Sequence, residues 1–568
     1  MWVVVGLWLC SFAAAAAAQP IQPILPDERP GDERWQLRPF AEPPSPAIVP
    51  ILPPYPIPDE TGTDELSAGL RVEVRKIEIR GNTVIPSAVL QEIAQLYEGR
   101  KLSYADLQDL RDLLTLAYIE RGYATSGASL PGQTLADGVL EVQIIEGKLE
   151  VIHVDVSGRF RPAYFHRRLA HLQQDVLNIQ TLQSQLQIFQ QDPLVAAVQA
   201  RVEPTSTRGA SQLNLVVKET PPYYLSSDFD SYRSPSIGSL GSTVRAGFQN
   251  LVGVGDAVHV RFTGSHGLRQ AEVRFDLPFT VWDTRFSARY QYSEGHVVDE
   301  SFSALGIESE SQSVTIEVRQ PLYRTLRLRV EAHASAGWRR AQSFLFDGAI
   351  GLPTAYADDG RYSESVLRFG LDASYRTRTQ SLAIRSMLSW GIDVAGATVN
   401  AGDIPDGRFV AWLGQLQVAS RLPWLDAQIL TRFEVQLSND PLLPLEQLAV
   451  GGRYTVRGYR ENTLVRDNGL AASLELRVPL FQRSDPAIRI EMAPFVDIGR
   501  SWNDTRSGPL EETTSKTLAS VGLGARMMLG QWGFGELYWG HRFMGVTDSG
   551  ESDLQDDGIH FRISLNLP

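Results

Sequence analysis

The sequence predicts a transmembrane β-barrel of about sixteen antiparallel strands, preceded by two small α+β domains. Three observations carry this. The only long apolar run is Met1 to Ala18, so no later segment can cross a bilayer as a helix, which needs about 20 apolar residues. Residues 71–220 hold two successive units of similar order. From about Pro222 onward helical periodicity disappears and side chains alternate apolar and polar in steps of two, the period of a strand with two different faces.

The N-terminus has the layout of a cleaved secretory signal, expected at residues 1–18. Val3-Val4-Val5, Leu7-Trp8-Leu9 and the run Ala13 to Ala18 form an apolar segment followed by small residues and Gln19-Pro20. It lacks a basic start. Cys10, the single cysteine, lies inside it, so the remaining chain is expected to use neither disulfides nor thiolate chemistry. Residues 19–70 read as an extended linker, because Pro43-Pro44, Pro53-Pro54, Pro56 and Pro58 lack the N–H that helices and sheets both need. Only a short helix around Glu33 to Leu37 is suggested there.

The first α+β unit is expected over 71–148. Val72 to Arg80 alternates as a strand, Gly81-Asn82 turns, and Ser87 to Tyr97 and Tyr104 to Arg121 carry apolar residues at helical spacing. Leu107, Leu110, Leu114 and Tyr118 share one face. Gly122-Tyr123 stops this helix, and Val139 to Ile145 closes the unit as a strand. The second unit, 149–220, repeats the order with Val151 to Val156, helical segments from Arg161 to Gln191, and strands near Val195 to Val202 and Leu213 to Val217. Each reads as strand, two helices, two strands, and the repetition itself argues for tandem domains.

Residues 221–568 form the barrel. Ala271, Val273, Phe275 and Leu277 alternate with Gln270, Glu272, Arg274 and Asp276; the last strand sets Phe561, Ile563, Leu565 and Leu567 against His560, Arg562, Ser564 and Asn566. Trp282, Trp390, Trp424 and Trp539 fall near strand ends, where interfacial aromatics belong. If the apolar face meets lipid, the charged face must line a hydrated interior, since an ionised side chain in hydrocarbon costs a few kcal/mol.

Composition excludes other classes. A net charge of -13 argues against a nucleic-acid partner, which would demand an excess of Lys and Arg. No GxSxG, HExxH or P-loop pattern is found and the histidines are scattered, so neither an enzyme nor a cofactor is expected. Gly253-Val254-Gly255 superficially suggests a dinucleotide loop, but Val258 stands where the third glycine is needed, and a hairpin turn fits better.

The segment from about Asn439 to Asn468 is long for a barrel connection and contains Gly451-Gly452-Arg453-Tyr454-Thr455-Val456-Arg457-Gly458-Tyr459. A loop of this length is either functional or disordered. In the strand Ile488 to Gly499, Ile488, Ile490 and Met492 mark the lipid face, and counting in twos places Phe495 and Asp497 in the lumen. An aspartate there needs a cationic partner, and Arg457 on an infolded loop is the candidate, through a bidentate charge-assisted pair.

Val456-Arg457-Gly458-Tyr459 followed by Phe495-Val496-Asp497-Ile498-Gly499 resembles the paired signature of the Omp85 superfamily, in which a loop folds into the barrel and its arginine meets an aspartate on the inner wall. With two preceding POTRA-like units, the chain resembles the TpsB transporters of two-partner secretion, the haemolysin and filamentous-haemagglutinin exporters. Asn250 to Asp256 also resembles an early periplasmic hairpin of that family. The resemblance implies a location in the outer membrane of a Gram-negative-type bacterium, with the N-terminal domains in the periplasm. It implies as partners a secreted exoprotein of the haemolysin or adhesin type, outer-membrane lipid, and the barrel-assembly machinery during biogenesis. The POTRA-like units would capture the unfolded exoprotein by adding its segments to a sheet edge, and folding outside would make export irreversible. Arg457 and Asp497 would hold the loop in its active position, with Phe495 and Tyr459 packing nearby. An insertase of the same superfamily and a passive porin are the alternatives. Two departures from the family pattern are noted: the proline-rich segment offers no clear counterpart of its N-terminal plug helix, and Asn566-Leu567-Pro568 replaces the usual terminal aromatic.

Overall fold

A computed structural model describes residues 71–133, 136–299, 302, 305–354, 356–504, 515–545 and 552–567. The expected signal segment, the proline-rich linker and the plug-helix question lie outside these residues. Two compact units emerge, one holding residues 71–222 together with the turn 250–255, the other holding the barrel.

In the first domain, helices Ser87–Gln95 and Tyr104–Ile119 pack on a three-stranded sheet in which Val139–Ile145 lies between Lys76–Arg80, parallel to it, and Gly127–Ser129, antiparallel. Leu110, Leu114 and Tyr118 are fully buried against Ile77, Leu90, Val142 and Ile144, while Leu107 is half-buried beside them, so the helical periodicity read from the sequence does face the sheet. The longer helix begins at a capping box: Ser103 Oγ accepts from Asp106 N at 3.2 Å, and Asp106 Oδ2 accepts from Ser103 N at 2.7 Å, which satisfies two amides that the first turn leaves free. One expectation needs correction. Val72 to Arg80 is not a single strand, because the chain bends at Arg75: Arg71–Val74 pairs with Arg100–Ser103, and Lys76–Arg80 joins the main sheet. The alternation changes phase at the bend, from Val72 and Val74 to Ile77 and Ile79, and each half buries its own apolar face.

The second domain uses helices Pro162–Leu169 and Ile179–Gln190 over strands ordered Lys148–Ser157, Ala210–Glu219, Val195–Pro204. A cluster from Leu149, Phe165, Leu182, Leu186, Leu213 and Val217 fills its core. Asn178 caps the second helix, accepting from Gln180 N and Thr181 N, and donates to Arg121 O of the first domain at 3.0 Å. Gly122 is needed at that joint: its φ is +88°, and an added Cβ would lie 2.8 Å from Asn178 Oδ1. The turn 250–255 accepts a backbone hydrogen bond from Arg161 N at Gly253 O, 2.9 Å, and Asn250 donates to Glu219 Oε1 at 2.7 Å.

The barrel has sixteen strands from Tyr223–Asp230 to Ile559–Leu567, each antiparallel to the one before; a two-residue strand, Ile350–Gly351, extends one hairpin. The last pairs with the first, Arg562 opposite Asp230 and Leu567 opposite Leu225, so the sheet closes and no edge is left. The two faces sort as the alternation predicts. Val273, Tyr290, Leu388, Leu537 and Ile563 are exposed on the outside, while Gln270, Glu272, Gln291, His333 and His560 are buried inside. Trp282 and Trp424 sit exposed at turns, and Trp390 and Trp539 are exposed within strands. The turn at Gly253 joins Gly241–Gln249 to Ala257–Ser265, a hairpin without a following helix.

Candidate functional site

Residues 439–467, between strands Ala427–Ser438 and Asn468–Ser484, form a loop that is buried along much of its length. A short antiparallel ribbon, Leu448–Val450 with Leu464–Arg466, gives it a stem. Leu448, Val450, Val456, Tyr459 and Leu464 make a small apolar core with the wall residue Leu518. Gly499 permits this approach, because a Cβ there would lie 2.5 Å from Val450 Cγ1 and 2.9 Å from Val456 Cγ2.

At the tip of the loop, Arg457 is fully enclosed. Its Nε donates to Asp497 Oδ2 at 2.7 Å and its Nη2 to Asp497 Oδ1 at 2.8 Å, a bidentate fork on one carboxylate. Its backbone N–H reaches the same carboxylate, Oδ2 at 3.0 Å. Nη2 also donates to Ser473 Oγ at 3.0 Å, and Nη1 donates to Glu475. The guanidinium carbon stands 3.6 Å above the Phe495 ring, a cation–π arrangement. Asp497 and Phe495 share the inward face of the strand Ala487–Trp502: Asp497 is 1 % exposed, whereas Val496 between them is 53 % exposed on the lipid side. Ser473 lies directly opposite Asp497, and Glu475 opposite Phe495.

Gly458 has φ +92°, and an added Cβ would come within 2.7 Å of Gly540 O on the strand Gly533–Arg542. Only glycine meets both demands. Tyr459 turns away from the arginine fork; its hydroxyl donates to Ala519 O at 3.0 Å and accepts from Met544 N at 3.0 Å. Two further glycines make room for rings. A Cβ at Gly522 would meet Phe495 Cζ at 2.5 Å, and one at Gly524 would meet Tyr538 Cε1 at 2.3 Å. Phe495 and Tyr538 stack edge to face, 5.9 Å between centroids.

The structure thus brings Arg457, Phe495 and Asp497 into direct contact and uses Val456, Gly458, Tyr459 and Gly499 to seat the loop. Sequence reasoning missed Ser473, Glu475 and Tyr538. It also missed a second loop arginine, Arg453, which donates to Glu536 Oε2 at 2.9 Å and lies 4.1 Å from the Tyr538 ring. The parity of inward positions along Asn468–Ser484 was the available signal for Ser473 and Glu475. Every ligand of the fork is a side chain paired with another, so the arrangement fastens a loop to a wall; no nucleophile and base stand together in it. Among the described residues no cluster of His, Cys, Asp and Glu is arranged to hold a metal ion.

Comparison with known proteins fixes the class. The profile of haemolysin secretion/activation proteins ShlB/FhaC/HecB matches residues 209–527, and a POTRA domain of the ShlB type matches residues 72–147. The outer membrane transporter CdiB of Escherichia coli O6:K15:H31 (strain 536 / UPEC) is 24 % identical over 445 residues, covering 74 % of this chain and 72 % of its own. The heme/hemopexin transporter protein HuxB of Haemophilus influenzae is 21 % identical over 498 residues, covering 83 % of each. Among solved structures, CdiB from Escherichia coli superposes with a TM-score of 0.66 at 21 % identity, covering 91 % of this chain and 94 % of that one. BamA from Haemophilus ducreyi lacking POTRA domains 1-3 shares the fold, with a TM-score of 0.53 at 12 % identity over 88 % of this chain and 100 % of that one.

A closed sixteen-stranded barrel that follows POTRA domains and holds its long loop inside defines an outer-membrane transporter of the two-partner secretion type. With the matched profile spanning more than half of its length, the chain belongs to the ShlB/FhaC/HecB family of haemolysin secretion/activation proteins. Its barrel resides in the outer membrane and its N-terminal domains in the periplasm.

Proposed function

We propose that this transporter exports a large exoprotein of the haemolysin or adhesin type, taken up unfolded in the periplasm and passed through the barrel lumen, with Arg457 and Asp497 holding the infolded loop in its working position. The observation that carries the reading is the fork itself, a loop arginine enclosed on the barrel wall between Asp497, Glu475 and Phe495. A passive pore has no use for so costly a burial of charge, whereas a conduit that must keep one end of a loop fixed to its wall does. Sheet edges suit the capture step. Lys76–Arg80 is an outer strand of the first domain and Val195–Pro204 of the second, and main-chain hydrogen bonds at such edges bind extended segments without demanding one sequence. Folding of the exoprotein outside supplies the driving force, and the barrel-assembly machinery and outer-membrane lipid serve biogenesis.

The test is co-expression with a large secreted protein encoded beside the transporter, scoring the culture medium. Appearance that depends on this chain supports the reading. No dependence, with a folded barrel in the outer membrane, refutes it, and loss of other barrels on depletion would then favour an insertase. Deleting residues 72–219 should stop export while leaving a conducting pore.

A further inference from the structure

The infolded loop has a second anchor on another wall. Its proximal arm carries Glu446, buried, whose Oε1 accepts from Arg339 Nη1 at 3.2 Å and from Arg368 Nη2. These arginines belong to strands Leu328–Leu345 and Arg361–Arg376, four to six strands round the barrel from Asn468–Ser484 and Ala487–Trp502, which hold Arg457. A loop fastened at two places on the inner wall crosses part of the lumen between them, and a chain passing there would need one fastening to give way.

The two fastenings are unequal. Arg457 is held through its backbone amide, both oxygens of Asp497, Glu475, Ser473 and an aromatic face. Glu446 is held through one carboxylate oxygen, and the arm beside it also rests on the apolar contacts of Leu442, Leu443 and Leu445, which carry no ionic tie. Its wall also keeps a carboxyl of its own: Glu364 is fully buried, 3.7 Å from Arg339 and in contact with the Glu446 carboxyl. With the arm seated, two arginines face two glutamates. With the arm withdrawn, the crowding of the two carboxyls is relieved, Glu364 keeps Arg339 and water can reach Arg368, so the wall tolerates release. Withdrawal of Arg457 would instead strip Asp497 of its bidentate partner.

We propose that Glu446 is the releasable anchor of the loop: during export it leaves Arg339 and Arg368 while Arg457 stays on its wall. Glu446 is therefore a positioning residue that sets how often the lumen is open, and the inference rests on the export reading above.

Single-channel recording of the full chain in planar lipid bilayers tests it. Glu446→Gln, of the same size but uncharged, should raise the open-to-closed ratio about tenfold, equivalent to about 1.4 kcal/mol. Glu446→Lys combined with Arg368→Glu should return it to the parental value, a restoration that loss of packing alone would not give. An unchanged ratio in Glu446→Gln, or no restoration by the swap, would overturn the proposal. A second variant keeps the arm seated: Glu446→Cys with Arg368→Cys, joined by a cleavable thiol crosslinker, should block export until the linker is cut. Export with the link intact would equally overturn it. If the export reading were wrong, Glu446→Gln would still change the conductance while no exoprotein reached the medium, so the two failures are distinguishable.

Discussion

Two interiors in this molecule are built from opposite materials. The core of the first periplasmic domain is aliphatic, with Ile77, Leu90, Leu110, Leu114 and Val142 shielded from solvent. The barrel wall encloses arginines and carboxylates instead, among them Arg457, Glu475, Asp497 and Glu536, and its strands turn most of their aliphatic side chains outward, the seat of the infolded loop excepted. The difference follows from the solvent. Water drives apolar groups inward in the periplasm, whereas lipid leaves the lumen as the place for charge, and each enclosed charge must then find a partner. Burial in the domain is chiefly a matter of stability. In the barrel it places paired charges where an exported chain must pass.

The comparison can be pressed from both sides. Leu114→Ala should cost the first domain about 2–5 kcal/mol by opening a cavity, read as a lower midpoint when the isolated periplasmic unit is unfolded in urea; an unchanged midpoint would mean that the core is loosely packed. Val273→Arg, on the outer face of the barrel, should destabilise the folded barrel by about 2–4 kcal/mol if the site lies near mid-bilayer, while Gln270→Arg on the inner face of the same strand should be tolerated. Equal effects of the two would erase the inside-out distinction. Ser103→Ala removes half of the capping box and should cost about 1 kcal/mol.

The smallest effect is a pH dependence. Burial alone would raise the Glu146 carboxyl, but hydrogen bonds from Thr83, Val84 and Tyr118 outweigh it and hold the group below its ordinary value of 4.5. A carboxylate depressed in the folded state stabilises it above the unfolded value, and that contribution disappears as pH falls through the folded one. Stability of the periplasmic unit should therefore decline below about pH 4.5, and less so in Glu146→Gln; identical pH profiles would remove Glu146 from the account.

Much of this was legible in the sequence because period is a local property. Leu110, Leu114 and Tyr118 at helical spacing, and Phe495 and Asp497 in step with each other but out of step with Met492, needed no knowledge of distant residues. The bend at Arg75 left only one local trace, the change of phase between Val74 and Ile77, and its geometry depends on Arg100–Ser103 arriving as a partner for Arg71–Val74. Ser473 and Glu475 were hidden for a related reason. Which inward residues lie opposite Asp497 and Phe495 depends on register, and the pairing of these two strands slips between Pro479 and Phe481, so counting from the turn goes out of phase. Glu446 has no local signal: it acquires meaning only once the loop crosses to Arg339 and Arg368.

Secretion by Arg457→Ala and Asp497→Ala measures the central claim most directly. Each breaks the enclosed Arg457–Asp497 pair, a loss of up to about 3–5 kcal/mol that Glu475 offsets in part in Asp497→Ala, concentrated on the loop and not on the strand ladder. The account predicts that both barrels remain inserted and heat-modifiable while the exoprotein disappears from the medium. Full secretion by both variants, from barrels present at parental levels, would contradict it.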